Sequence, residues 1–286
     1  MAWSRAKAAT ACNVLLQSIA EAFYKRRRYL ETNNTQTGAM KPFHLALTLA
    51  ALCGVATLHA ADKPATQPPD VAAPKMDAKT GQPQAAFMQK HEGFLKIAKA
   101  GEAQLVFLGD SITAGWGNQK AIWEKAFGQY KPANFGIGGD RTQHVLWRIE
   151  NGELDGIKPK AFVIMIGTNN SGGDSAEAIA KGVTKIVKTV REKQPQAKIL
   201  LLAIFPRGLK PEGKLGPQNE KLKEVNAIIC KLDDGKHIFF LDIGKKFVPG
   251  NGPIDKEIMP DFLHLTAKGY QIWADAIGPK LTALMK

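Results

Sequence analysis

Three cysteines in 286 residues exclude a disulfide-stapled scaffold, and no apolar run reaches the ~20 residues of a membrane-spanning helix. The dinucleotide turn Gly-x-Gly-x-x-Gly is missing, no Gly-Lys-Ser/Thr completes a phosphate loop, and no Gly-x-Ser-x-Gly elbow of the α/β-hydrolase kind occurs. His91, His144 and His237 lack third and fourth partners at zinc-ligand spacing, so no zinc site is expected. The formal charge is +13, but no basic stripe interleaved with aromatics accompanies it, which excludes nucleic-acid readout and leaves a solvated Lys-rich surface.

What is present begins with a divided N-terminus. Met40-Lys41-Pro42 opens a short basic segment, the run Leu45 to Leu58 is mostly apolar, and Leu58-His59-Ala60 ends it in a small-residue cleavage pattern. That order describes a secretory signal peptide over 40–60, with a secreted or periplasmic product and no stable membrane insertion. Residues 1–39 then read as an extension upstream of the true start, the alternative being a basic amphipathic helix around Val14 to Tyr24. They carry six Lys/Arg against two Asp/Glu, and Lys41 adds one positive charge, so +8 of the +13 stays with the mature chain, whose one cysteine is Cys230. Residues 61–83, including Lys63-Pro64-Ala65-Thr66-Gln67-Pro68-Pro69, have no periodicity and read as an extended, poorly ordered linker.

From Gln84 to Lys286 the pattern is that of one domain. Leu105 to Leu108, Phe162 to Ile166, Ile199 to Phe205 and Ile238 to Leu241 are apolar at nearly every position, as strands covered on both faces are. A weaker strand is expected around Ala133-Asn134-Phe135. Helical stripes lie between them: Ile179, Val183, Ile186, Val187 and Val190, with a capping box from Asp174 to Glu177, then Leu222, Val225, Ile229 and Leu232. The last helix takes Thr266 as N-cap and buries Tyr270, Trp273 and Ile277, with Pro279 expected to kink or break it. Alternating strands and helices define an α/β fold, a three-layer doubly wound domain on a five-stranded parallel sheet, whose ligand site lies beyond the carboxyl ends of the strands.

The chemistry-bearing residues fall in the loops at that edge. Gly109-Asp110-Ser111 follows the first strand, Gly136-Ile137-Gly138-Gly139-Asp140 the second, Gly167-Thr168-Asn169-Asn170 the third, and Asp261-Phe262-Leu263-His264 the fifth. A serine hydroxyl needs a base to accept its proton, and His264 is the histidine in such a loop with a carboxylate three residues before it. Ser111 is therefore the candidate nucleophile, His264 the base and Asp261 its orienting partner. The Ser111 N–H, the Gly138-Gly139 backbone and the Asn169 amide are candidate donors to an oxyanion. His144 reads as a packing residue with a site role as the alternative, and Trp116, Ile122, Trp123 and Phe127 read as core with an acyl-pocket lining as the alternative.

Gly109-Asp110-Ser111, Gly138-Gly139, Gly167-Thr168-Asn169-Asn170 and Asp261-x-x-His264 together resemble the four blocks of the SGNH/GDSL hydrolases, over roughly Leu105 to Ala276. Asn134 to Asp140, Arg141 through Arg148, Asn151 to Leu154 and Phe205-Pro206-Arg207-Gly208 resemble more closely the intracellular platelet-activating-factor acetylhydrolase branch, which shares Asn170 where most of the superfamily has Asp. The resemblance implies a flavodoxin-like SGNH fold and a triad of Ser111, Asp261 and His264. It also implies oxyanion donors from Ser111, Gly139 and Asn169, a short acyl group such as acetyl, and no metal or cofactor.

The expected activity is thus hydrolysis of short-chain acyl esters through an acyl-serine. An exported chain would not meet the substrates of an intracellular lipid enzyme, so the expected alcohol is an acetylated carbohydrate or another small-molecule ester. The alternatives are a phospholipid acetylhydrolase, acyl transfer to a sugar or alcohol, and a non-catalytic glycan-binding module on the same fold. The sequence leaves a homodimer open.

Overall fold

The computed structural model describes residues 67–208, 215–248 and 252–286. The readings of 1–39 as an extension and 40–60 as a signal peptide lie outside the described residues. In chain order the elements are α1 (Ala85–Ala100), β1 (Leu105–Gly109), α2 (Ser111–Ala114), α3 (Lys120–Phe127), β2 (Pro132–Gly136), α4 (Thr142–Arg148), β3 (Ala161–Met165), α5 (Ala176–Lys193), β4 (Lys198–Leu202), α6 (Pro217–Ile229), β5 (Ile238–Leu241), α7 (Gly244–Phe247) and α8 (Ala267–Leu284). Short 3-10 turns follow several of them, and an irregular π turn at Ile149–Glu153 extends α4.

The strands form one parallel sheet in the order β2-β1-β3-β4-β5, which reverses direction between β1 and β3. Alternate strand residues feed two separate cores, because successive side chains of a strand point to opposite faces. Val106, Leu108, Phe162, Ile164, Ile199 and Leu201 pack with α1, α4, α5 and α6. Leu105, Phe107, Val163, Met165, Leu200 and Leu202 pack with α2, α3, α7 and α8. Covering on both faces is what the uninterrupted apolar runs require. Trp116 and Phe127 are buried in the second core against Phe107, and Trp123 packs beside them, so this aromatic group is core.

Four local expectations are corrected. The ladder of β4 stops at Leu202 rather than Phe205: its neighbour β5 ends at Leu241, whose carbonyl accepts the Ala203 N–H as the last bond, and 203–205 continue buried but unpaired as strand. The cap of α5 is Ser175, whose hydroxyl accepts the Ala178 N–H, because Asp174 is engaged by the Asn170 amide. Pro279 neither breaks nor ends α8, since it sits on the exposed face of the helix, where the carbonyl it leaves unpaired at Asp275 reaches water. Thr266 caps the same helix as expected, accepting the Gly269 N–H.

The fourth concerns residues 67–83, read from composition as loose linker. Here they lie against α4 and α5. Thr142 Oγ1 donates to the Pro69 carbonyl at 2.8 Å, the Ala73 N–H donates to Gln143 O, and Asp70 pairs with Lys181 at 2.7 Å. The arm then doubles back through a Met76–Pro83 bridge, with the Gln84 N–H donating to Lys75 O at the start of α1. Long-range bonds of this kind leave no periodic trace in a sequence.

Candidate active site

The Ser111 loop forms where β1 runs directly into the one-turn helix α2. Gly109 is required there: a Cβ would overlap Thr113 Oγ1 and the Met165 carbonyl of the neighbouring strand. Asp110 caps α2 through its carboxylate, which accepts the Ile112 N–H at 3.0 Å. That leaves the Ser111 N–H without a protein acceptor among the described residues and its side chain at the strand-end edge. Within the same core Tyr270 donates to the Ile112 carbonyl at 2.6 Å, fastening α8 to α2.

Ser111 Oγ lies 2.9 Å from His264 Nε2, and His264 Nδ1 lies 2.6 Å from Asp261 Oδ2. The three residues that the sequence put in two distant loops are therefore one hydrogen-bonded chain, with the ring tautomer inferred from its partners. The Asp261–His264 spacing works because the intervening Phe262 adopts a left-handed φ of 60°, curling the backbone so that Asp261 Oδ1 also accepts the Leu263 and His264 N–H groups. Gly208, just past β4, donates to the Phe262 carbonyl and holds this turn to the sheet. Partial burial raises the Asp261 carboxyl, but the His264 ring and the His264 and Leu263 N–H groups outweigh it, so its pKa lies below the ordinary value. The Asp261 and His264 side chains keep 55% and 44% of their surface, so hydrogen bonds rather than exclusion of water fix the pair.

Two further candidate donors lie in the loops after β2 and β3. Gly139 has a φ of 72°, a conformation that glycine adopts without penalty, and its N–H has no protein acceptor among the described residues. A Cβ on the preceding Gly138 would come 4.0 Å from Ser111 Cβ, which measures how closely this loop approaches Ser111. Asn169 donates one amide hydrogen to the Asp140 carbonyl at 2.8 Å, and its other amide hydrogen has no acceptor among the described residues. The structure thus joins Ser111, His264 and Asp261 in one hydrogen-bonded chain, brings the Gly138 turn close to Ser111, and bonds Asn169 to the Asp140 carbonyl just past Gly139.

Three residues that sequence reading gave no role hold this arrangement. Arg148, fully buried, donates to Asp140 Oδ2 at 3.0 Å, to the Phe135 carbonyl at 3.1 Å and to both oxygens of buried Glu153. Arg207 donates to Thr168 O and Oγ1 and projects its charge on Asp110 and Asp261. Lys75, from the N-terminal arm, donates to the Gly138 carbonyl at 2.5 Å. Arg148 and Arg207 were visible only as members of family-like blocks, and Lys75 gave no signal at all. His144 proves structural: its Nδ1 accepts the Arg141 N–H, its ring meets Phe87 edge-on, and burial pulls its pKa down to about 3. Among the described residues no group of three or more His, Cys, Asp or Glu side chains could hold a metal ion.

Burial raises the Asp110 carboxyl to about 6, against the opposing pull of the Ile112 N–H, His264 and Arg207. A carboxyl whose folded pKa exceeds its unfolded value of 3.8 weakens the fold as pH rises from about 4 to about 6, and a shift of that size is worth roughly 3 kcal/mol. Asp110→Asn keeps the cap acceptor without the charge. Its thermal midpoint relative to the parent chain should therefore climb with pH and level off above about 7, by at least ~5 °C in a domain this size. A difference constant between pH 4 and pH 8 in calorimetry would contradict the assignment.

A cavity of about 520 Å³ opens beside the ends of β4 and β5, lined among others by Ile204, Leu215, Asn226 and Asp242. None of Ser111, Asp261 and His264 lines it, so its size says nothing of the space at the serine.

A flavodoxin-like parallel sheet carrying a Ser–His–Asp chain at its carboxyl edge defines an α/β hydrolase architecture. The family model for GDSL-like lipases and acylhydrolases matches residues 107–272. The chain belongs to this family and is a carboxylic ester hydrolase by class. Platelet-activating factor acetylhydrolase IB subunit alpha1 of Homo sapiens is 42% identical over 185 residues, covering 64% of this chain and 78% of its own length. Subunit alpha2 of Mus musculus matches to the same extent. Among solved structures, a GDSL-like lipase from Bacteroides thetaiotaomicron superposes with a TM-score of 0.56 at 20% identity over 68% of this chain and 97% of its own, a likeness of fold. Among the described residues no helix is long and apolar enough to cross a membrane.

Proposed function

We propose that this chain is an exported serine esterase that removes short acyl groups, acetyl foremost, through an acyl-Ser111 intermediate. The observation that carries the reading is the unbroken chain Ser111 Oγ, His264 Nε2, His264 Nδ1, Asp261 Oδ2. As Ser111 Oγ attacks the ester carbonyl, its proton passes to His264 Nε2, and Asp261 stabilises the imidazolium that forms. The carbonyl oxygen gains negative charge within reach of the Ser111 and Gly139 N–H groups and the free Asn169 hydrogen. Collapse breaks the ester C–O bond, His264 returns the proton to the departing alcohol, and water repeats the cycle to free the acid.

Asn169→Ala should retain the fold and lower kcat by about 100- to 1,000-fold, the usual cost of one oxyanion donor, with KM little altered. A near-native rate in steady-state assays would remove Asn169 from the mechanism.

The acetyl preference is supported by the acetylhydrolase activity in the names of the 42%-identical relatives. Export is supported by the pattern of residues 40–60, and an exported enzyme would find its esters on acetylated carbohydrate. A phospholipid acetylhydrolase is the second reading, favoured by the same relatives. A 4-nitrophenyl ester series from acetyl to decanoyl, on the chain begun at Ala61, should show a sharp acetyl optimum, and a long-chain optimum would overturn it. Acetate release from acetylated xylan against a 2-acetyl glycerophospholipid then separates the two alcohols.

A further inference from the structure

We infer that Lys75 is a positioning residue for the oxyanion site, reaching from the N-terminal arm to hold and polarise the Gly138–Gly139 peptide whose N–H faces the reacting carbonyl. The inference rests on the reading of Ser111 as nucleophile and adds a part that lies outside the family-matched residues 107–272.

The Gly138 carbonyl and the Gly139 N–H belong to one peptide group. Its oxygen accepts from the Lys75 ammonium at 2.5 Å, while its N–H has no protein acceptor among the described residues. In a trans peptide the two groups point in opposite directions, so fixing the carbonyl on Lys75 fixes the N–H on the other side of the peptide. The restraint matters because glycine flanks the peptide on both sides. With no Cβ to oppose it, the unit can rotate about its Cα–Cα axis and present its oxygen to the site, replacing a donor by an acceptor. An ammonium on the carbonyl disfavours that rotation. It also polarises the amide, strengthening the N–H as a donor, since hydrogen bonds in a chain reinforce one another.

Lys75 is itself well held. Its carbonyl accepts the Gln84 N–H at 2.7 Å, Ala73 is buried and bonded to the Gln143 carbonyl, and Thr142 Oγ1 reaches Pro69. The ammonium stands close enough to the loop that a Cβ on Gly139 would lie 2.7 Å from Nζ. Its charge opposes the rise that burial imposes on the Asp140 pKa and adds to the fall of the His144 pKa. A composition that reads as linker therefore delivers a cation to the back of the oxyanion peptide.

Steady-state hydrolysis of 4-nitrophenyl acetate by Lys75→Met, Lys75→Arg and Ser111→Ala tests this, together with inhibition by a trifluoromethyl ketone that forms a tetrahedral adduct on serine. Lys75→Met should lose roughly tenfold in kcat, a fraction of what deletion of a whole donor costs, with KM and thermal midpoint unchanged. Its inhibition constant for the ketone should rise by the same factor, because the adduct carries the oxyanion and the substrate does not. Lys75→Arg, which can still donate to the carbonyl, should recover most of the rate. The inference is overturned by a Lys75→Met enzyme within about twofold of native kcat, by a loss confined to KM, or by equal losses in both Lys75 variants. Turnover that survives Ser111→Ala would instead sink the esterase reading on which the inference rests.

Discussion

Ser111→Ala is expected to lower kcat for 4-nitrophenyl acetate by on the order of 10⁴- to 10⁶-fold while moving the thermal midpoint by no more than about 2 °C. The two halves of that expectation come from different features. Ser111 Oγ makes one side-chain hydrogen bond, to a histidine that Asp261 and its own backbone turn already hold, so deleting the hydroxyl leaves no group stranded in the interior. The Ser111 N–H survives the substitution, as do Gly139 and Asn169, and these should still stabilise direct attack by water to a small extent. Residual turnover of that origin has no acyl-enzyme, so the burst seen on mixing native enzyme with substrate should vanish. Because serine and histidine act on one proton, adding His264→Ala to Ser111→Ala should cost little more. Additive losses in the double variant, or a native burst in the single one, would mean that another residue attacks the ester.

The fold was legible wherever burial on both faces wrote itself as an unbroken apolar run, as in Leu105–Leu108 and Phe162–Ile166. It was faint at β2, an edge strand that opens on Pro132 and includes Asn134, whose amide bonds the backbone of α2 rather than packing in a core. The reactive side chains were legible because parallel topology forces the loops after β1, β2, β3 and β5 to one edge, whatever their separation in sequence. The supports were not. Ser175 rather than Asp174 caps α5 because Asn170 competes for the aspartate, a tertiary fact. Lys75 sits in a Pro-rich stretch whose order comes from partners such as Gln143, 76 residues from Gln67. Arg148 lies in a helix where a basic residue suits the surface equally well, and only the sheet beneath it and the carboxylates beside it disclose that it is buried.

Removing that arginine should produce the largest loss of stability. Arg148→Met fills similar space but leaves the Asp140 and Glu153 carboxylates in the interior without their cation, and breaking a buried pair in this way typically costs about 3–5 kcal/mol. In a domain of this size that lowers the thermal midpoint by roughly 10 °C. The deficit should depend on pH with a definite sign. Burial already raises Asp140 to about 7 with Arg148 present, and without the guanidinium that carboxyl is held further toward the protonated form. A folded pKa above the unfolded one penalises the native state as pH rises, so the variant should be weakest at pH 8 and recover ground at pH 5. Neutralising the cluster tests the cause: Arg148→Met with Asp140→Asn and Glu153→Gln removes the stranded charges and should regain much of the lost midpoint. Activity should not return with it. Arg148 joins Asp140 to the Phe135 carbonyl at the end of β2, and the Asp140 carbonyl accepts from Asn169, so the arginine sets the spacing between the Gly139 and Asn169 donors. A triple variant that is stable yet slow, with the loss in kcat, assigns Arg148 to the geometry of the oxyanion site. One that regains both would make it a stability residue alone.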